Sequence, residues 1–338
     1  MITRSVQVGN VAVGGRAPVS IQSMCNTPTT DPDATIGQIH ELEEAGCDIV
    51  RVAVPDIRSA AALKAIRENI SIPLVGDIHF DYRLAVEAAK HCDKIRINPG
   101  NLGGRIPDVI RALKDNSIPV RIGVNSGSVE REYRQMPVPE ALVKSVIKHI
   151  GLFEDNEFYD IVISLKSSDV AETIKANMMI HESCSYPIHL GVTEAGTRFA
   201  GTIKSSIGIG SLLSRGIGNT IRVSLTENPV EEVQVAMEIL KSLDLRSGRN
   251  IISCPTCARK GADIEKIARD IEEATRGIKK PIKIAVMGCE VNGPGEAAHA
   301  DVGVAAGPRS LIFRKGRVVA KVDNENIVAA LLKEIEKI

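Results

Sequence analysis

Beyond residue 18 the chain repeats one rhythm: a short apolar run, then a longer segment whose apolar positions recur every three or four residues. The runs fall at 19–23, 48–53, 73–77, 93–97, 119–124, 159–164, 187–192 and 219–224, each followed by a stretch long enough for a helix. A short apolar run bounded by turn signals predicts a buried strand, and the three-to-four spacing predicts an amphipathic helix. Strands that alternate with helical crossovers lie parallel in one sheet. Eight such units within about 240 residues match the count and size of a TIM (β/α)8 barrel, with an open doubly wound sheet as the rival. Ahead of them, an alternation over Val6–Val13 that turns at Gly9-Asn10 predicts a hairpin.

The rhythm changes after the helix at 230–242. Ser247-Gly248-Arg249-Asn250 reads as a linker, followed by a strand (251–253), a helix (262–275), a strand (282–287), a hairpin-like pair (about 301–305 and 310–322) and a closing helix (325–337). That order predicts a small α+β domain, so the chain divides into a barrel over 1–243 and a second domain over 244–338.

Composition then removes classes of function. The 42 basic residues cancel the 42 acidic ones, and with four Tyr, five Phe and no Trp the chain lacks both the clustered charge and the stacking surfaces of a nucleic-acid binder. No stretch reaches the roughly 18 apolar residues of a membrane span. Met1-Ile2-Thr3-Arg4-Ser5 leads directly into the first alternation without a secretory pattern, so a cytoplasmic location is expected. Seven Cys, an odd number, fit metal binding or catalysis better than a disulfide framework.

Side chains two apart on a strand share a face, and in a barrel one face looks inward. Asp77 and His79, Arg96 and Asn98, Arg121 and Asn125, Ser164 and Lys166, His189 and Thr193, and Arg222 and Ser224 all have that spacing near the C-terminal ends of their strands, where barrel enzymes keep their chemistry. Arg51 interrupts the apolar run Ile49-Val50-Arg51-Val52-Ala53-Val54. Five cations (Arg51, Arg96, Arg121, Lys166 and Arg222) would thus ring one opening, with Asp77 and Glu194 as the main acids near enough to answer them. A multiply charged anion, above all a diphosphate, suits such a ring. Glu194 reads either as a general acid or base or as a counter-ion to Lys166 or Arg222. His79 and His189 stay ambiguous between site and structure. The glycine-rich stretches Asn98–Gly104 and Gly208-Ile209-Gly210 offer backbone N–H groups for phosphate or plain turns.

Cys254-Pro255-Thr256-Cys257 opens the second domain, and Cys289 follows in Met287-Gly288-Cys289-Glu290-Val291-Asn292-Gly293-Pro294-Gly295-Glu296. Three thiolates hold three corners of a [4Fe-4S] cubane or three positions of a zinc site. Glu290 and Glu296 are the local donors for a fourth position. Glu296, behind a Gly-Pro-Gly turn that can fold back, is the better placed. A carboxylate there favours a cluster with an exchangeable position over structural zinc, which prefers Cys and His. A zinc-stabilised barrel lyase or synthase acting on a phosphorylated small molecule remains the alternative. A simple electron carrier would leave five barrel cations without a purpose.

The motifs Pro18-Val19-Ser20-Ile21-Gln22-Ser23-Met24, Gly76-Asp77-Ile78-His79-Phe80, Ile95-Arg96-Ile97-Asn98-Pro99-Gly100-Asn101, Arg121-Ile122-Gly123-Val124-Asn125-Ser126-Gly127-Ser128, Leu190-Gly191-Val192-Thr193-Glu194-Ala195-Gly196, Thr220-Ile221-Arg222-Val223-Ser224-Leu225-Thr226 and Ser253-Cys254-Pro255-Thr256-Cys257 closely resemble those of the bacterial two-domain 4-hydroxy-3-methylbut-2-enyl diphosphate synthases. The resemblance implies a TIM barrel binding 2-C-methyl-D-erythritol 2,4-cyclodiphosphate, a [4Fe-4S] cluster on Cys254, Cys257, Cys289 and Glu296, a ferredoxin or flavodoxin electron donor, and a homodimer. It implies substrate contacts at Arg51, Arg96, Arg121, Asn125, Lys166, Thr193, Arg222 and Ser224, with Glu194 as acid-base group. The chain departs from the family pattern at Cys25, Asn219, Ala258 and Glu290.

Connectivity bears on the dimer independently. The last barrel helix delivers the chain to the face opposite the mouth. The helix is roughly 20 Å long and the linker Leu243–Asn250 about 26 Å fully stretched, which leaves little to carry a domain back. A head-to-tail pairing, each second domain over the partner's barrel, is the expectation.

Overall fold

The hairpin forms as expected: β1 (Ser5–Val8) pairs antiparallel with β2 (Val11–Gly14). Gly14 closes it at φ +94°, where a Cβ would stand 2.1 Å from the Arg4 carbonyl oxygen, so only glycine fits. These details come from a computed structural model that describes residues 2–258, 260–278, 280–289 and 299–338. The chain forms two compact units, Met1–Arg246 and Ser247–Ile338.

In the first unit, eight strands follow the eight apolar runs: β3 (Ser20–Met24), β4 (Ile49–Ala53), β5 (Leu74–Asp77), β6 (Lys94–Ile97), β7 (Val120–Asn125), β8 (Ile161–Lys166), β9 (His189–Leu190) and β10 (Thr220–Ile221). They lie parallel in the order β8-β7-β6-β5-β4-β3-β10-β9, and a bridge from Ile163 to Ile188 closes the ring between β8 and β9. The open-sheet alternative is thereby excluded. β9 and β10 are shorter than their runs. Past Leu190 and Ile221 the ladder ends after one more bond, Arg222 N–H to the Leu190 carbonyl at 3.0 Å, and the following residues ride on strand-end loops.

Helices α1 (Pro32–Ala45), α2 (Ile57–Glu68), α3 (Tyr82–Ala88), α4 (Ile106–Asp115), α5 (Val138–Glu154), α6 (Val170–Ser183), α7 (Arg198–Leu213) and α8 (Pro229–Ser242) surround the strands. Asp31, Asp56, Asp81, Asp169 and Asn228 each cap a helix by accepting an N–H of its first turn. Such caps stabilise a helix by about 1 kcal/mol and commit these side chains, four carboxylates and one carboxamide, to backbone at the mouth end. Gly208 and Gly210 lie inside α7 and form no phosphate loop. A Cβ on Gly208 would meet Val192 at 2.7 Å, so close helix packing explains that glycine.

Outward strand residues such as Ile21, Val50, Ile95, Ile122 and Ile163 pack with the helices in the main core. Inside the barrel the contents change with depth. At the floor, Val6, Val8 and Val13 of the hairpin pack with Ile49, Val75 and Val162 as an apolar plug. Above it lies a polar layer that includes Ser20, Gln22, Lys94, His189 and Thr220, each at most 3% exposed. The charged mouth is above that. The chain leaves α8 at the floor end: Arg246 pairs with Asp48, whose carboxylate also accepts the Ile21 N–H at 2.8 Å.

The second unit is a five-stranded sheet in the order β11 (Arg249–Ser253), β12 (Ile282–Met287), β13 (Val302–Ala305), β14 (Ser310–Arg314) and β15 (Arg317–Val322), with the first three parallel. α9 (Ile264–Ala274) and α10 (Ile327–Ile335) pack on it through Ile264, Ile271, Ile327 and Leu331. The segment 310–322 is two strands rather than one. Lys315 and Gly316, at φ +49° and +74°, make the two-residue turn, and two successive left-handed residues give it a twist that matches the right-handed twist of the flanking strands.

Candidate active site at the barrel mouth

Inward strand ends and their loops converge on a cleft of about 110 Å³. Arg51, Asp77, Arg96, Arg121, Ser164 and Lys166 reach it from β4 to β8; His79, Asn125, Thr193, Arg222 and Ser224 complete its wall. Of the residues expected here, Asn98 does not line it. The Asn98 amide instead donates to Ser128 Oγ at 3.0 Å and accepts the Gly100 N–H at 3.2 Å, holding the β6 loop against the Asn125 turn. Glu194 is exposed beside the lining residue Thr193 at φ +52°, a left-handed backbone uncommon outside glycine.

Two buried carboxylates organise the cations. Asp77 accepts Arg96 Nη1 at 3.1 Å and His79 Nε2 at 3.2 Å, and stands 3.8 Å from Arg51 Nε. Burial alone would raise the Asp77 carboxyl, but Arg51, His79 and Arg96 together hold it well below the usual range. Glu232, from α8, receives Arg222 Nε at 3.3 Å and Nη2 at 3.2 Å, and also accepts the Leu225 N–H at 2.9 Å. Sequence reasoning missed Glu232 and left Glu194 as the possible partner of Arg222. Arg222 goes to the helix, and among the described residues Glu194 makes no ion pair.

Among the described residues Arg121 and Lys166 have no such partner. Arg121 is 2% exposed, and its Nε and Nη1 atoms lack hydrogen-bond partners among the described residues. Burial and then Arg51 and Arg96 push its guanidinium well below its ordinary range. Lys166 is pushed down likewise, by burial first and by Arg121, Arg51, Arg222 and Arg96 after it. Arg51, anchored by Asp77, is lowered by burial only to about 10. Lys94, also missed, is fully buried one layer deeper and donates to Gln22 Oε1 at 3.3 Å. Its even spacing from Arg96 was the available signal. His189 is wholly buried with neither ring nitrogen bonded among the described residues.

The close approach of Gly191 explains part of the strand-end motif. A Cβ there would fall 2.6 Å from the Arg222 carbonyl oxygen and 2.7 Å from Lys166 Nζ. Asn219, a departure from the family pattern, accepts the Ile188 N–H through Oδ1 at 3.0 Å. Cys25 and Cys47 are buried thiols, each raised to about 12 by burial, which suits packing rather than ligation.

In the second unit, β11 and β12 run side by side and lead into Cys254 and Cys289. Cys254 Sγ accepts the Gly288 N–H at 3.0 Å, one residue before Cys289. Cys257 is exposed. Among the described residues no three His, Cys, Asp or Glu side chains stand close enough to hold a metal, and Glu290 and Glu296 lie outside the described residues. In kind, the thiol donors and the adjoining strand ends fit an iron-sulfur cluster.

Comparison with known proteins agrees over the whole chain. Solved dihydropteroate synthases share the barrel fold alone: that of Stenotrophomonas maltophilia has a TM-score of 0.54 at 13% identity, over 72% of this chain and 97% of that one. The Xanthomonas albilineans enzyme gives 0.52 at 10%, over 72% and 97%. Among curated relatives, the 4-hydroxy-3-methylbut-2-en-1-yl diphosphate synthase (flavodoxin) of Clostridium perfringens is 54% identical over 99% of both chains. The protein of that name from Caldanaerobacter subterraneus is 53% identical over 99% of this chain and 97% of its own. The family model for the GcpE TIM-barrel domain matches residues 3–237 and that for the GcpE protein C-terminal domain matches residues 250–337, so the chain belongs to the GcpE family.

Proposed function

We propose that this chain converts 2-C-methyl-D-erythritol 2,4-cyclodiphosphate to (E)-4-hydroxy-3-methylbut-2-enyl diphosphate, with flavodoxin as electron donor. The observation that carries the reading is the unequal charge at the mouth: five cations face one cleft, and among the described residues Asp77 and Glu232 are the acids bonded to them. A dianionic cyclic diphosphate answers two of the three positive charges left over. The reaction consumes two electrons and one proton: a ring carbon–oxygen bond to phosphate breaks, the neighbouring hydroxyl leaves as water, and the diphosphate gains a negative charge.

Arg51, Arg96 and Arg222, held by their carboxylates, orient the diphosphate, while Arg121 and Lys166 bring charge that has no other partner. Asn125, Thr193 and Ser224 supply neutral hydrogen bonds. Electrostatic groups fixed before the reaction stabilise the charge that grows on the leaving phosphate. Glu194, at the rim, gives a proton to the departing hydroxyl. Cys254, Cys257, Cys289 and Glu296 would hold a [4Fe-4S] cluster. Such a cluster supplies single electrons and a Lewis-acidic iron when bound.

The barrel is the substrate domain and the second unit the cluster domain. The way the chain leaves the barrel supports a head-to-tail dimer as part of this proposal. Arg246, pinned to Asp48 at the floor end, leaves Ser247-Gly248 as slack before β11. Two residues reach about 7 Å, so a cluster domain over the partner's mouth is the simpler arrangement. Anaerobic turnover of the cyclic diphosphate with reduced flavodoxin, by protein carrying about four irons per chain, is the test. Zinc-loaded, iron-free protein with full activity would overturn the reading.

A further inference from the structure

Lys166 shares with Arg121 the lack of an answering acid among the described residues, but of the two it alone carries an amine. It ends β8, is 8% exposed, and among the described residues no hydrogen bond or ion pair reaches its amine. The groups that face this part of the barrel are Arg51 on β4, Asp77 and His79 at the end of β5, Arg96 above Lys94 on β6, Arg121 on β7, His189 on β9, and Arg222 past β10 with Glu232 behind it. Both buried acids are taken, Asp77 by Arg51, Arg96 and His79, and Glu232 by Arg222. Glu194 is on the exposed rim.

Four guanidiniums less two carboxylates leave two positive charges, which already match a dianion. A fifth cation in the ligand-free barrel is opposed by burial and by all four guanidiniums. Guanidinium cannot shed its proton in a protein, whereas an amine can. We propose that Lys166 stands as a neutral amine in the ligand-free barrel and takes up a proton from solvent as the cyclic diphosphate enters. The inference rests on the substrate reading above. It gives the uptake a use: the third positive charge matches the trianionic product, so Lys166 is charged in time for the bond to phosphate to break.

The sign follows from linkage. Lys166 is depressed without ligand and raised by the bound anion, so between those two values binding consumes a proton and weakens as pH rises. Each phosphorus of the cyclic diphosphate carries a single, strongly acidic hydroxyl, so the ligand does not titrate near neutrality. Calorimetric titration of the holoenzyme with the cyclic diphosphate, in buffers of equal pH and different ionisation enthalpy, reads the uptake directly. About one proton per site is expected, with affinity falling about tenfold per pH unit inside the window. Lys166→Arg should bind without uptake and with flat pH dependence; Lys166→Met should bind more weakly, also without uptake. Circular dichroism checks that both variants fold. Binding to the wild type without proton uptake, or undiminished uptake in both variants, would overturn the inference alone. No binding to the wild type would overturn the substrate reading and this inference with it.

Discussion

Replacing Arg121 with Met should make the ligand-free enzyme more stable and the enzyme less able to hold its substrate. Arg121 is 2% exposed, carries two unbonded nitrogens among the described residues and faces a cleft of like charge. Met has similar length, so the cavity left is small. Replacing even a buried ion pair by well-packed apolar side chains is often neutral or stabilising by about 1–4 kcal/mol, and among the described residues Arg121 has no partner to lose. The same change removes a charged hydrogen bond to the diphosphate, worth about 1.5–3 kcal/mol, or about 10- to 150-fold in affinity. Urea unfolding of ligand-free protein and calorimetric binding of the cyclic diphosphate measure the two effects. A variant that unfolds at lower urea while binding the substrate normally would refute the reasoning, because Arg121 would then be a satisfied structural residue.

Glu194→Gln should reduce kcat while leaving KM and iron content nearly unchanged; an effect confined to KM would make Glu194 a counter-ion. Cys289→Ser should lose most of the iron, whereas Glu296→Ala should retain a labile or three-iron centre. Normal spectra and turnover in Glu296→Ala, with inactive Glu290→Ala, would reassign the fourth ligand. Co-expressed Glu194→Gln and Cys289→Ser chains with separable tags should yield heterodimers with about half of wild-type activity, since one of two shared sites is then intact. Properly assembled but inactive heterodimers would place each site within one chain.

The barrel was legible because its eight strands repeat one pattern, and the mouth because strand side chains alternate with period two. That rule places Arg96 with Lys94 and Arg121 with Asn125 on the inner face from sequence alone. It is silent about helices, and Glu232 comes from a helix. There, an acid in the first turn of α8 looks like an ordinary complement to the helix dipole. Depth along the barrel axis is equally hidden, which is why His189 stayed ambiguous between site and structure; Lys94 was passed over although it stands two residues before Arg96. Gly208 and Gly210 misled because glycine serves tight packing as well as phosphate loops. The turn inside 310–322 was obscured by a continuous basic and apolar run, with Lys315 taking a backbone conformation that its residue type rarely signals.

The valine hairpin that stoppers the floor turns the barrel into a cup with one opening. Reactant, product and released water must all pass the same lip. The product carries one more negative charge than the reactant and meets the same arginines on its way out. Turnover is therefore exposed to competition from its own product, and the strength of the grip that catalysis needs sets a limit on how fast the cup can be emptied.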